Sequence, residues 1–170
     1  MENFIKALDM SIKTKNWYSV LFISLALPDI CGKIDEPNKG SKARTINWFN
    51  KYLKPIYSMG EGEDMHVFLS GSDFYALRCS CLHEGSSDIT SQDARETLDR
   101  FSFIEPAENV RVHRVQTNNS LHLQVDQFGE DVLTAVKIWL NDISNDKEKI
   151  SKIENTLHMR VLDLSKGFSI

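Results

Sequence analysis

The chain predicts a mainly α fold, a helical bundle carrying a small antiparallel β-sheet or hairpin and C-terminal helices (α+β). Three observations lead there. Apolar residues recur at helical spacing through most of the first hundred positions, period-two alternation is confined to a stretch beginning at Phe101, and helical spacing returns from Gly129. Residues 1–99 are therefore the expected bundle. Residues 100–170 are the hairpin and following helices, packed on it as one unit.

Residues 2–14 set Phe4, Ile5, Leu8 and Ile12 on one helical face. Asn16 suits the N-cap of a second helix that starts at Trp17 and stays apolar nearly all round to Ile30, as a central bundle helix does. Pro28 predicts a kink or a last turn, and Gly32, Pro37 and Gly40 in "CGKIDEPNKGS" predict a loop. Ser41 is the expected N-cap of a third helix, with Ile46, Phe49 and Leu53 inward and Lys42, Arg44, Lys51 and Lys54 outward. "GEGED" reads as a solvated loop. Ser70 or Ser72 caps a fourth helix that Gly85 ends, and a short helix is expected over Gln92–Asp99.

"FSFIEP", "VRVHRVQ" and "LHLQVDQF" then read as strands, with Leu121, Leu123 and Val125 opposite His122, Gln124 and Asp126. "TNNS" between the last two is hairpin chemistry, because asparagine tolerates positive φ. Val132, Leu133, Val136 and Leu140 restore the helical period, as do Ile150, Ile153 and Leu157. Ile138 and Trp139 break strict amphipathicity, which marks either a partner surface or a helix buried between two layers.

With 41% hydrophobic and 26% charged residues, the 170-residue chain has an ordinary globular composition. A chain of this length buries roughly 70% of its unfolded surface without a metal or disulfide staple. The odd set Cys31, Cys79 and Cys81 suggests reduced thiols in a cytoplasmic setting. A net charge of −4 argues against a general nucleic-acid coat but leaves room for a local basic face. The apolar run "WYSVLFISLALP" is shorter than the roughly 20 residues that span a bilayer and lacks a signal cleavage site, so it reads as a buried helix and no membrane is expected. Phosphate-loop, nucleophile-elbow, H-E-x-x-H and kinase motifs are absent.

The chemistry concentrates in "DFYALRCSCLHEG", residues 73–85. Written as C-x-C-x-H, Cys79, Cys81 and His83 suggest ligands, but on an α-helix position 81 points about 160° away from the other two, so one metal cannot collect all three. Arg78 and His83 are about 140° apart around such a helix, a separation that a long arginine can bridge. They are either a reactive pair or two ordinary residues: Arg78 paired with Asp73, Glu84 or Asp29, and His83 satisfied at a helix end. Asp29 is in turn either the group that orients Arg78 or a cap on the chain reversal. The basic face of the third helix, with Trp48 and Tyr52 beside it, either follows an RNA backbone or is simply solvated.

"RCSCLH" fits R-x4-H and resembles the signature of the HEPN superfamily (higher eukaryotes and prokaryotes nucleotide-binding domains), whose members carry the motif on a late helix of a bundle. The resemblance implies a metal-independent RNA endonuclease of bacterial defence or stress response, with Arg78 and His83 catalytic and neither cofactor nor metal. It further implies RNA as substrate, a homodimer whose paired motifs share a cleft, and an antitoxin or regulatory protein as restraint. Histidine can move a proton at the 2′-hydroxyl or the leaving oxygen, and the arginine fork can hold the developing phosphorane charge. Many active members have Asn, Asp or His after the arginine; this chain has Cys79. The alternative is a non-catalytic binding module, or a structural subunit, on the same bundle.

Overall fold

The helices form where the apolar spacing requires them. The computed structural model describes residues 1–157 and is mainly α, with six helices and two small sheets among those residues. The end of the expected C-terminal unit, 158–170, lies outside the described residues.

Helix α1 (Glu2–Lys13) buries Leu8, and α2 (Trp17–Asp35) opens on Asn16, whose side chain accepts from the Ser19 amide. Pro28 is not the last turn of α2, and the first five residues of the predicted loop, 31–35, continue the helix for about one and a half turns. An interior proline costs about 3 kcal/mol. Burying Leu25, Leu27, Cys31 and Ile34 more than offsets it, at about 1.5–3 kcal/mol for each large aliphatic side chain. By length and composition α2 could cross a membrane, yet 56% of that window is buried inside the protein, as in a core helix.

The loop therefore begins only at Glu36, and Gly40, not Ser41, is the N-cap of α3 (Ser41–Tyr52). Gly32 lets α2 and α3 approach closely, since a Cβ there would sit 2.7 Å from the Arg44 carbonyl oxygen. Helix α4 (Gly71–Cys79) packs along α3, and Ser70 caps it by accepting from the Asp73 amide at 3.0 Å. It runs directly into a π turn, Ser80–Glu84, which Gly85 ends at φ +65°.

"GEGED" is exposed throughout, the solvated loop its composition predicts, and joins β1 (Ser58–Met59) to β2 (His66–Val67) in a hairpin. No helix forms over Gln92–Asp99. The amides of Glu96, Thr97 and Leu98 donate instead to the buried Asp73 carboxylate at 2.7, 3.2 and 3.4 Å, so the chain wraps a side chain in place of its own carbonyls.

The second sheet has the order β3 (Arg100–Ile104), β5 (Ser120–Gln124), β4 (Val115–Thr117). β4 and β5 make the expected hairpin, with Asn118 at φ +51°; β3 is parallel to β5, so the sheet is mixed. Most of "VRVHRVQ" stays out of it. Asn109 and Arg114 have positive φ, and Arg111 and Val112 are held by Gln127 and Gln124. Helix α5 (Val125–Asp142) begins four residues before Gly129, which sits where a Cβ would meet Val20 at 2.7 Å. Trp139 is fully buried and donates to Asp35 at 2.9 Å, while Ile138 stays exposed. The two residues thus mark a helix packed against α1, α2 and α3. Helix α6 (Lys147–Glu154) returns to the same carboxylate through Lys149 at 2.8 Å.

A Gly32→Ala substitution would normally gain up to about 1 kcal/mol of helix propensity. Here the added methyl meets a backbone carbonyl, and overpacking of that kind costs about 1–3 kcal/mol. The expected outcome is a net loss of stability, read from the urea midpoint at constant m-value.

Candidate active site

Asp29, near the end of α2, accepts at Oδ1 from Arg44 Nε (2.7 Å) and Thr45 Oγ1 (3.1 Å), and at Oδ2 from Arg78 Nη2 (3.0 Å). One carboxylate thus joins α2, α3 and α4. The three charged side chains are mostly withdrawn from water, at 12% exposure for Asp29, 17% for Arg44 and 16% for Arg78. Burial pushes the Asp29 carboxyl up, but the Arg44 hydrogen bond and the Arg78 charge outweigh it and hold the group below the usual carboxylate range. Two guanidinium groups against one carboxylate leave the cluster with one surplus positive charge.

Arg78 has five N–H donors and spends one, on Asp29; its Nε is buried with no partner. Around it stand Tyr75, one turn back on α4, and Ser41 at the start of α3, whose hydroxyl is also buried without a partner. Burial raises the Tyr75 hydroxyl, Cys79 beside it adds to the effect, and the Arg78 charge opposes it. The N-terminus of α3 has glycine as its cap and no side-chain capping bond, so its first-turn amides remain available. Unspent guanidinium hydrogens, free amides and one net positive charge are chemistry suited to an anionic oxygen.

His83 lies on the π turn, exposed and with no hydrogen-bond or ionic partner among the described residues. A π turn closes over five residues where an α turn closes over four. Arg78 lies on α4, two residues before this turn, and His83 lies within it. The turn is held at its end by Gly85 N to the Cys81 carbonyl and Ser86 N to the Ser80 carbonyl, both at 3.2 Å. Its start is held by the Ser80 hydroxyl donating to the Asp88 carbonyl at 2.6 Å. Arg78 and His83 share no hydrogen bond with each other, and of the three acids weighed for Arg78 it is Asp29 that pairs; Glu84 accepts from Gln92 and Asp73 holds backbone amides.

The basic face of α3 is smaller than its sequence suggests. Arg44 turns inward, Lys51 pairs with Asp142 at 3.3 Å and lies over the Tyr52 ring, and Trp48 and Tyr52 are buried, which leaves Lys42 and Lys54. Cys31 and Cys81 are buried and Cys79 half-buried, all as free thiols, and among the described residues no three His, Cys, Asp or Glu side chains gather to hold a metal. A further polar pair went unnoticed in the sequence. His113, with 1% of its side chain exposed, bonds Asp131 at 2.9 Å beside the buried Tyr57 and ties the chain before β4 to α5. Its only sequence signal was a histidine in "VRVHRVQ", with the partner eighteen residues away. Searches of protein-family models, curated proteins and solved structures find no match to this chain.

Asp29→Asn should cost about 2–4 kcal/mol, somewhat below the roughly 3–5 of a fully buried pair because each guanidinium keeps some contact with water. The pH dependence has a definite sign. Because the folded Asp29 pKa lies below the unfolded value of about 3.9, its contribution is present above pH 4 and is lost as pH falls through the folded value. Urea midpoints measured between pH 6 and pH 2 should fall more steeply for the wild type than for Asp29→Asn.

Proposed function

We propose that the chain is a metal-independent RNA endonuclease of HEPN type, with Arg78 and His83 as its catalytic residues. The observation that carries this reading is an exposed, unpartnered histidine five residues after an arginine that a buried carboxylate already orients. In the reaction the 2′-oxygen forms a bond to phosphorus as the bond from phosphorus to the 5′-oxygen breaks. The 2′-hydroxyl gives up a proton and the leaving oxygen takes one up. His83 transfers a proton at one of these oxygens, and the unspent donors of Arg78 hold the charge of the phosphorane between them. Cys79 adds no hydrogen-bonding amide, so anion contact falls to Arg78 and the α3 amides.

The active unit in this reading is a homodimer. On α2 the paired rings of Tyr18 and Phe22 are 77% and 43% exposed, and with Cys81 and Gly85 of the π turn they border an apolar groove. A second copy seated there would bring a second π turn beside the first. One observation favours the non-catalytic alternative instead, namely that Asp29 already occupies Arg78.

His83→Ala separates the two readings, because an exposed side chain without partners contributes within about 0.5 kcal/mol to stability. The variant is expected to keep its melting temperature while RNA cleavage by purified protein falls about 10²–10⁴-fold, the usual contribution of a general acid or base. Equal RNA patterns with wild type, His83→Ala and no protein would select the binding module. In sedimentation, Phe22→Asp is expected to run as a monomer and to lose cleavage.

A further inference from the structure

Helix α6 is held by little that its own residues supply. It runs for eight residues, and none of them is buried. It joins α2 through the Lys149–Asp35 ion pair at 2.8 Å, and the half-buried Ile153 packs against the core. A helix of this length is marginal on its own in water, so its place depends on what packs around it.

Between α6 and α2 runs an apolar groove of about 460 Å³. It is bordered by Ile30, Ile34 and Pro37 from α2 and the loop after it, and by Lys152 and Thr156 from α6 and its end. Three of the bordering side chains are cations, Lys33, Arg44 and Lys152. The one carboxylate, Asp29, is already held by Arg44 and Arg78. An apolar groove with a basic margin suits an apolar segment that carries an acid.

The chain supplies such a segment at the mouth of the groove. Thr156 borders it, and Leu157 leaves it 73% exposed. Residues 158–170, "HMRVLDLSKGFSI", follow from that point and lie outside the described residues. Val161, Leu162 and Leu164 are apolar, and Asp163 is the one acid among them. Leu162 is five residues beyond Leu157, a reach of up to about 17 Å for an extended chain. A segment tethered so closely meets the groove at an effective concentration in the millimolar range, which an untethered partner does not match. The groove beside Tyr18 and Phe22 is a poorer seat for it, since Phe22 lies eight residues back from Ile30 on α2, about 12 Å along the axis.

We propose that residues 161–164 dock in the groove between α2 and α6, with Leu162 and Leu164 against Ile30, Ile34 and Pro37 and with Asp163 toward the basic margin. The docked segment covers the Asp29–Arg44 pair and straps α6 to the helix whose carboxylate orients Arg78. The docking does not rest on the ribonuclease reading.

The test uses the full chain with a photo-reactive benzoylphenylalanine at position 162, irradiated and mapped by mass spectrometry. Cross-links within one chain to residues 30–37 are expected. Adducts confined to α6, to the groove beside Tyr18 and Phe22 or to a second copy overturn the proposal, as does the absence of any adduct. Hydrogen exchange supplies an independent readout. Leu162→Asp combined with Leu164→Asp should speed exchange of the α6 amides at least tenfold while the α5 amides exchange as in wild type. Ser169→Asp, which adds charge outside the docked residues, should leave α6 unchanged. Equal α6 exchange in the wild type and the double variant overturns the proposal, and so does an equal acceleration by Ser169→Asp.

Discussion

The Asp29 carboxylate is the point at which the helical half of the molecule is tied together. It takes hydrogen bonds from two residues of α3 and one of α4 while sitting on α2, so the relative placement of three helices depends on one buried charge. Such a group is costly to withdraw from water unless its oxygens are filled, and here both are. The close passage of α3 over Gly32 brings Arg44 within reach, and the continuation of α2 past Pro28 keeps the carboxylate in a helix rather than a loop.

The same logic, a carboxylate replacing backbone carbonyls as acceptor, shapes the other end of α4. Asp73 gathers the amides of residues 96–98, and this is why that segment is not the short helix its composition suggests. Asp35 gathers Trp139 and Lys149 and so fixes α5 and α6 to α2. Three aspartates on two helices thus join parts of the chain far apart in sequence, and the apolar core fills the space between them.

What could be read from the sequence follows from the range of the interactions. Local signals carried through: Asn16 and Ser70 cap their helices, Gly85 ends the π turn in the left-handed region, and Asn118 turns the β4–β5 hairpin. Periodicity located the helices and the core residues Leu8, Phe49, Leu121 and Val132. The failures share a physical cause, a distant partner that overrides local preference. Pro28 is tolerated because its neighbours are buried, and residues 92–99 give their amides to Asp73. Arg44 leaves the basic face for Asp29, and β3 pairs in parallel because a long connection, pinned by Arg111, Val112 and His113, carries the chain across. At the site, the residue types and the pairing of Asp29 with Arg78 were open to inference. The π turn was not, since nothing in "RCSCLH" distinguishes four residues per turn from five.

Arg78 is the half of the motif that the fold fixes: it extends toward Asp29, while His83 stands exposed on the π turn that follows α4. The Asp29 contact then restrains one edge of the guanidinium and leaves the remaining donors in a fixed orientation, with less rotational freedom to lose when a phosphate oxygen arrives. The acid also moderates affinity. Arg44 and Arg78 together would hold an anion with two positive charges, whereas with Asp29 between them the cluster offers one. A site that must release a cleaved strand benefits from that reduction, because uniform attraction to substrate and product adds nothing to the chemical step.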